Sequence, residues 1–143
     1  MRLPAAEARA RLTTHDHGVL CTVHAERGVD AVPVVYVVDD GGYVGVPVDR
    51  VKAKASSRLQ RERNLEADPR AALLVEHWDR ADWSRLWWVR AELRWRPDAA
   101  AGHAAGLAAR LAQAYPQYRD EPFAGMLVLR IVDVTGWAAG AAR

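Results

Sequence analysis

AVPVVYVVDDGGYVGVPV, residues 31–48, decides the fold. Two valine-rich runs, 31–38 and 43–48, flank Asp39-Asp40-Gly41-Gly42, and such a cluster between β-branched runs reads as a hairpin. Each arm carries a proline. Pro33 and Pro47 have no amide N–H to give to a ladder, so each marks an edge or a bulge. Gly45 beside Pro47 again points to a bent or open rim.

The reading extends outward in both directions. Upstream, residues 4–12 form a short helix with Pro4 at its first position and Leu3, Ala6, Ala10 and Leu12 as a partly apolar face. Residues 18–24 are a strand. Downstream, residues 56–68 read as a helix with Ser56 or Ser57 as N-cap, ended at Asp68 by Pro69. Residues 71–78 are a fourth strand. Residues 86–96 alternate as a long fifth strand, with Trp87, Val89, Ala91, Leu93 and Trp95 on one face. An alanine-rich helix (99–114), a loop (115–125) and a sixth strand (126–137) follow. The prediction is a mainly β protein of six mostly antiparallel strands with peripheral helices, one domain over residues 1–143. No strand runs through a glycine-rich turn into a helix, which excludes a doubly wound dinucleotide fold.

A chain of 143 residues buries roughly 70% of its unfolded surface, so it needs no disulfide or metal to fold. Cys21 is the lone cysteine; it excludes an internal disulfide and reads as a buried structural thiol in a reducing compartment. The N-terminal residues lack a secretory apolar region and no run approaches the length of a membrane span, so the expected location is cytoplasmic. A net charge of +2 is too weak to argue for nucleic acid.

Nearly all the positive charge is arginine, so Lys52 and Lys54, the only lysines, stand out. They sit in VPVDRVKAKASSRLQRERN (46–64), between a strand and a predicted helix start. Helix N-termini attract anions and neighbouring lysines neutralise a phosphate, so this pair is a candidate phosphate site. Arg58, Arg61 and Arg63 extend the positive field or form a solvated face with Glu62 and Glu66. DWSRLWWVR (82–90) packs three tryptophans and two arginines into nine residues. Trp87 and Trp88 point to opposite faces of their strand, one toward the core and the other toward a partner or a ring system. His15 and His17 flank Asp16. A His-x-His pair can bind metal, but the sequence places no third ligand and no metal is assigned. His24 and His77 are candidate pocket acids or structural histidines. No GxSxG, HExxH, CxxC or P-loop is present, so hydrolase, metalloprotease and NTPase readings have no seed.

These segments, with NLEADPR, YPQY and the closing Gly136-Trp137, span nearly the whole chain. In that order they resemble the pyridoxamine-phosphate-oxidase-like split-barrel superfamily, and within it the PPOX-class F420-dependent enzymes (flavin/deazaflavin oxidoreductases, B branch). The resemblance implies a six-stranded antiparallel split β-barrel and a homodimer with two cofactor sites at the subunit interface. It implies an oxidoreductase that exchanges a hydride between coenzyme F420 and a small organic acceptor, FMN being the cofactor of related members; a non-catalytic carrier of F420 or a flavin on the same fold is the alternative. By position, Lys52 and Lys54 would hold the cofactor phosphate within the field that includes Arg58. Val46, Pro47 and Val48 would line the ring with backbone groups, Pro33 and Val34 would flank it, and Trp78 would reach it from the partner subunit. True pyridoxamine-phosphate oxidases carry a serine-arginine-lysine phosphate motif where this chain alternates Lys52 and Lys54. No catalytic side chain is implied.

Overall fold

The structure is a computed structural model that describes residues 1–48, 59–119 and 125–140. Among these residues one antiparallel sheet of seven strands forms the frame: β1 (His17–His24), β2 (Gly28–Val35), β3 (Val37–Val38), β4 (Tyr43–Val48), β5 (Arg70–His77), β6 (Trp87–Trp95) and β7 (Gly125–Ala138), in the order β2-β1-β5-β6-β7-β4-β3. The outermost strands, β2 and β3, are separated in the chain by Tyr36 alone. The backbone therefore leaves one end of the sheet and enters the other within a single residue, which curls the sheet into a half-open barrel.

The expectation of six strands is corrected here. The run 31–38 is not one strand: β2 starts earlier, at Gly28, and pairs with β1 as far as His17↔Val35, whereas Val37 and Val38 pair with Gly45 and Val44 of β4. Tyr36 is the corner. It is 1% exposed and its hydroxyl donates to the Leu12 carbonyl at 2.5 Å. The hairpin between β3 and β4 forms as read. Asp39 Oδ1 accepts the Gly41 and Tyr43 amides, and Gly42 takes φ +84°, a left-handed value that a side chain disfavours.

β7 spans the barrel: residues 125–130 pair with β4 and residues 129–138 with β6, with a register shift at Glu92/Leu93 of β6. The interior holds the alternate positions of these strands, among them Leu20, Leu73, Val75, Val89, Ala91, Leu93 and Leu129. As the alternation predicts, Trp87 and Trp95 pack against that core. Full burial of each leucine or valine of that core is worth roughly 1.5–3 kcal/mol.

Among the described residues, three α-helices close the ends. α1 (Ala5–Thr14) begins after Pro4 rather than on it, and buries Ala8 and Leu12 (i, i+4), while Ala6 and Ala10 stay exposed. α2 (Gln60–Ala67) starts after an extended Leu59, whose amide donates to Glu62 at 3.3 Å. The helix therefore does not run through residue 59, and the proposed caps Ser56 and Ser57 lie outside the described residues. α3 (Ala100–Ala114) lies on β3 and β4 and buries Leu107 and Leu111. Gly45 permits that approach, since a Cβ there would sit 3.0 Å from the Leu107 Cβ. No helix among the described residues is long and apolar enough to cross a membrane.

Candidate functional site

The prolines read as rim markers do lie at a rim. β2 is paired with β1 on one side only, and β3 covers β4 no further than Val44 and Gly45. Among the described residues, no strand therefore covers the edge of β4 opposite β7 from Val46 to Val48, or the edge of β2 opposite β1. Between them lies a cleft of about 370 Å³ lined by His17, Pro33, Val34, Val35, Val46, Pro47, Arg61 and Tyr118. Unpaired strand edges present rows of backbone donors and acceptors, and the volume falls in the range of small-ligand sites.

Four of the residues expected to touch a cofactor, Pro33, Val34, Val46 and Pro47, meet in this cleft. Val48 follows on the same edge with its side chain turned into the core. Lys52, Lys54 and Arg58 lie outside the described residues. Trp78 is not brought to the cleft of its own chain: it stands just past β5, 52% exposed, its ring 5.4 Å from that of Trp83.

Arg61 is the charged group in the lining, and sequence reasoning left it undecided between field and solvated face. The signal lay in its spacing. Arg61, Asn64 and Leu65 share one face of α2 (i, i+3, i+4), and the last two anchor that face. Leu65 enters the core. Asn64, 3% exposed, donates from Nδ2 to Thr22 Oγ1 and to Asp30 Oδ2, each at 2.9 Å, and accepts from Gln60 at 2.9 Å. The bonds from Asn64 and then Arg27 hold the Asp30 carboxyl below its ordinary value. Arg63, on another face, is exposed. The NLEADPR motif is thus mainly a docking device, finished by Asp68, which accepts the Arg70 amide and guanidinium and is lowered to about 2 by them.

The opposite lip is built by the YPQY segment. The Tyr115 hydroxyl donates to the carbonyls of Asp16 and, at 3.1 Å, Tyr36. This pins the entry of β1 to the Tyr36 corner and carries Tyr118, on the turn Pro116–Tyr118, to the cleft. Burial raises the hydroxyl pKa of both Tyr36 and Tyr115, so both stay protonated donors at neutral pH.

Other candidates resolve structurally. His24 Nδ1 accepts the Glu26 and Arg27 amides at 3.0 Å and shapes the β1–β2 turn. His77 stacks on Trp87 at 6.3 Å. In DWSRLWWVR, Asp82 accepts the Ser84 amide and hydroxyl to set a short turn, and Trp88 lies on the outer face under Arg90 at 5.5 Å. Cys21 is half-buried on that face rather than in the core, and burial raises its thiol pKa, which leaves it a weak nucleophile. A larger hollow, about 440 Å³, opens on the same outer face beside Cys21, Arg90, Glu92 and Arg94. It contains none of the residues expected at the cofactor.

An antiparallel barrel left open between two proline-bearing edges, with an arginine delivered to the opening by a docked helix, defines a split-barrel protein with a cleft at its rim. Residues 4–138 match the Pyridoxamine 5'-phosphate oxidase family, and the chain belongs to it. The fold is shared with solved structures of low sequence identity. An FAD-binding protein from Mesorhizobium loti superposes with a TM-score of 0.67 at 17% identity, over 95% of this chain and 93% of its own. A conserved hypothetical protein from Mycobacterium tuberculosis gives 0.69 at 19%, over 96% and 86%. A heme binding protein from Mycobacterium smegmatis gives 0.65 at 23%, over 100% of this chain and 57% of its own. No curated protein matches the chain in sequence.

Proposed function

We propose that this chain is a cytoplasmic F420-dependent oxidoreductase, a single split-barrel domain working as a homodimer, that exchanges a hydride with a small organic acceptor. The observation that carries the reading is the β2–β4 cleft, where two strand edges without a partner among the described residues face a volume suited to a planar ring and Arg61 supplies positive charge. The donor set fits such a cofactor. Backbone groups along Val46–Val48 suit the polar edge of a flavin-type ring, Pro33 and Val34 give an apolar wall, and Arg61 with Lys52, Lys54 and Arg58 suits a phosphate and an anionic tail. When bound, the deazaflavin supplies the hydride chemistry. The chain's own residues bind and orient the ring and exclude water from it. Trp78, exposed and outside its own cleft, is placed by this reading against the partner subunit's site.

The alternative is FMN in the same cleft, favoured by membership in the Pyridoxamine 5'-phosphate oxidase family and by the likeness to an FAD-binding protein. Titrating the purified protein with F420 and with FMN, followed by fluorescence, separates the two. The primary reading expects tighter binding of F420 and oxidation of its reduced form by an added acceptor. Tighter FMN binding selects the alternative, and binding of neither overturns both.

A further inference from the structure

We propose that His15, Asp16 and His17 form a binding site for one divalent transition-metal ion of the zinc class at the lip of the cleft. A ligand atom from each of the three residues lies within 4.8 Å of the others. In a regular strand Asp16 would point away from both neighbours. Here the three residues occupy the junction where α1 gives way to β1, and that break lets consecutive side chains converge. The third ligand that a His-x-His pair needs is thus the residue between the histidines.

The junction is held on every side. The His15 amide donates to the Arg11 carbonyl at 3.1 Å, the Asp16 carbonyl accepts the Tyr115 hydroxyl, and His17 is paired with Val35 in the sheet. The His15 ring stands edge-on to Trp87, centroids 5.3 Å apart, and 5.5 Å from the His17 ring. Fixing the backbone and one ring in advance lowers the ordering cost of binding. Two neutral imidazoles and one carboxylate give a singly negative donor set of the type that zinc and its neighbours prefer. Arg11, the nearby cation, is engaged by Glu7 at 2.8 Å and by the Trp87 ring at 5.1 Å.

Zinc takes N and O ligands at about 2.0–2.2 Å, which places tetrahedral ligand atoms about 3.4 Å apart. The Asp16 Oδ1···His17 Nδ1 pair at 2.6 Å must open by somewhat less than an ångström, the cation taking the place of the proton between them while the imidazole keeps its N–H on Nε2 and stays neutral, and pairs as wide as 4.8 Å must close to the tetrahedral spacing. Three protein ligands leave a fourth position for water or an oxygen of a bound ligand, as in open zinc sites, and His17 already lines the cleft.

The test uses untagged full-length protein freed of metal and titrated calorimetrically with Zn²⁺ alone, alongside Co²⁺ followed by its visible spectrum. One saturable ion per chain is expected, with tetrahedral-type cobalt bands. His15→Ala and His17→Ala should each weaken binding at least 10-fold and remove the bands, and Asp16→Asn should weaken it less. Metal-free melting temperatures of the variants within a few degrees of wild type would show that the loss is not unfolding. Absence of saturable binding, or binding that survives in the His15→Ala/His17→Ala double variant, overturns the site.

Discussion

At Tyr36 the backbone turns from one sheet edge to the other, and the hydroxyl that holds the corner is buried against the Leu12 carbonyl. Its pKa is raised in the folded state, by burial first and then by Tyr115 and Asp16, above the unfolded value of about 10. The folded chain keeps a proton that the unfolded chain gives up, so this contribution is full below pH ~10 and is lost as pH climbs toward the folded value. Tyr36→Phe removes the bond and should cost about 0.5–1.5 kcal/mol at pH 7. It should also flatten the alkaline decline, with the smaller Tyr115 effect remaining. Urea unfolding at neutral and alkaline pH measures both, and an unchanged alkaline slope would reject the assignment. If the cofactor binds as proposed, Lys52→Ala, Lys54→Ala and Arg61→Ala each remove a charge-assisted hydrogen bond worth roughly 1.5–3 kcal/mol. Each should therefore weaken F420 binding about 10- to 100-fold. A double lysine variant that binds within a factor of about two of wild type would remove the phosphate from that loop. The lysines stand out in the sequence because an arginine-rich chain has no other lysine, and they lie outside the described residues. Arg61 does not stand out, because its partner in meaning, Asn64, reads as an ordinary helix polar residue until its hydrogen bonds are seen.

Helix α2 matters because it aims Arg61, and its seat is polar. Asn64→Ala leaves the Thr22 hydroxyl and the Asp30 carboxylate without a buried donor and should cost about 1–3 kcal/mol, with weaker cofactor binding through displaced Arg61. The acid dependence gives a second readout. Asp30 has a depressed folded pKa, so its contribution is present above the unfolded value of about 3.9 and is lost as pH falls through the folded one. The gap between wild type and Asn64→Ala should narrow in that window. An equal gap at pH 7 and pH 3, by denaturant unfolding, would count against Asn64 as the cause. Strand β6 was readable in sequence because strict alternation puts Val89, Ala91 and Leu93 inside. The break at Tyr36 was not, since every residue from 34 to 38 favours extended structure and the corner is fixed by Leu12, 24 residues away. The end of α2 was read from Pro69, but its start was misplaced because serines signal a cap more loudly than Leu59. The convergence of His15, Asp16 and His17 was not readable for a related reason: the three residues fall between the expected helix (4–12) and strand (18–24), where no periodicity fixes which way a side chain points.

For the molecule as a whole, the two faces of the sheet differ. The interior is filled, yet the outer face carries Val19, Cys21, Ala72, Leu74 and Trp88 only half-buried, with Val29 68% exposed. Contiguous apolar surface of this kind marks an interaction site. Beside it stand Arg90 and Glu92, two residues apart on β6, so the same face offers both signs of charge. A two-fold interface brings each patch against its own copy, and a patch holding an apolar centre with Arg90 and Glu92 at its margin can pair with itself without burying like charges together. The expected particle in solution is therefore twice the 15.8 kDa chain mass, and Leu74→Arg, which sets four charges against each other across the axis when both copies and Arg90 are counted, should shift it to the monomer. Leu74 lies outside the β2–β4 cleft. If Trp78 of the partner subunit helps cover the ring, the monomeric variant should also bind F420 more weakly, while its folding transition loses only the concentration dependence that dimerisation confers. Light scattering at micromolar concentration, followed by the cofactor titration on the same sample, reads both effects. A wild-type mass near 15.8 kDa would overturn the dimer, and a monomeric Leu74→Arg with undiminished F420 affinity would leave the dimer standing but confine the site to one chain.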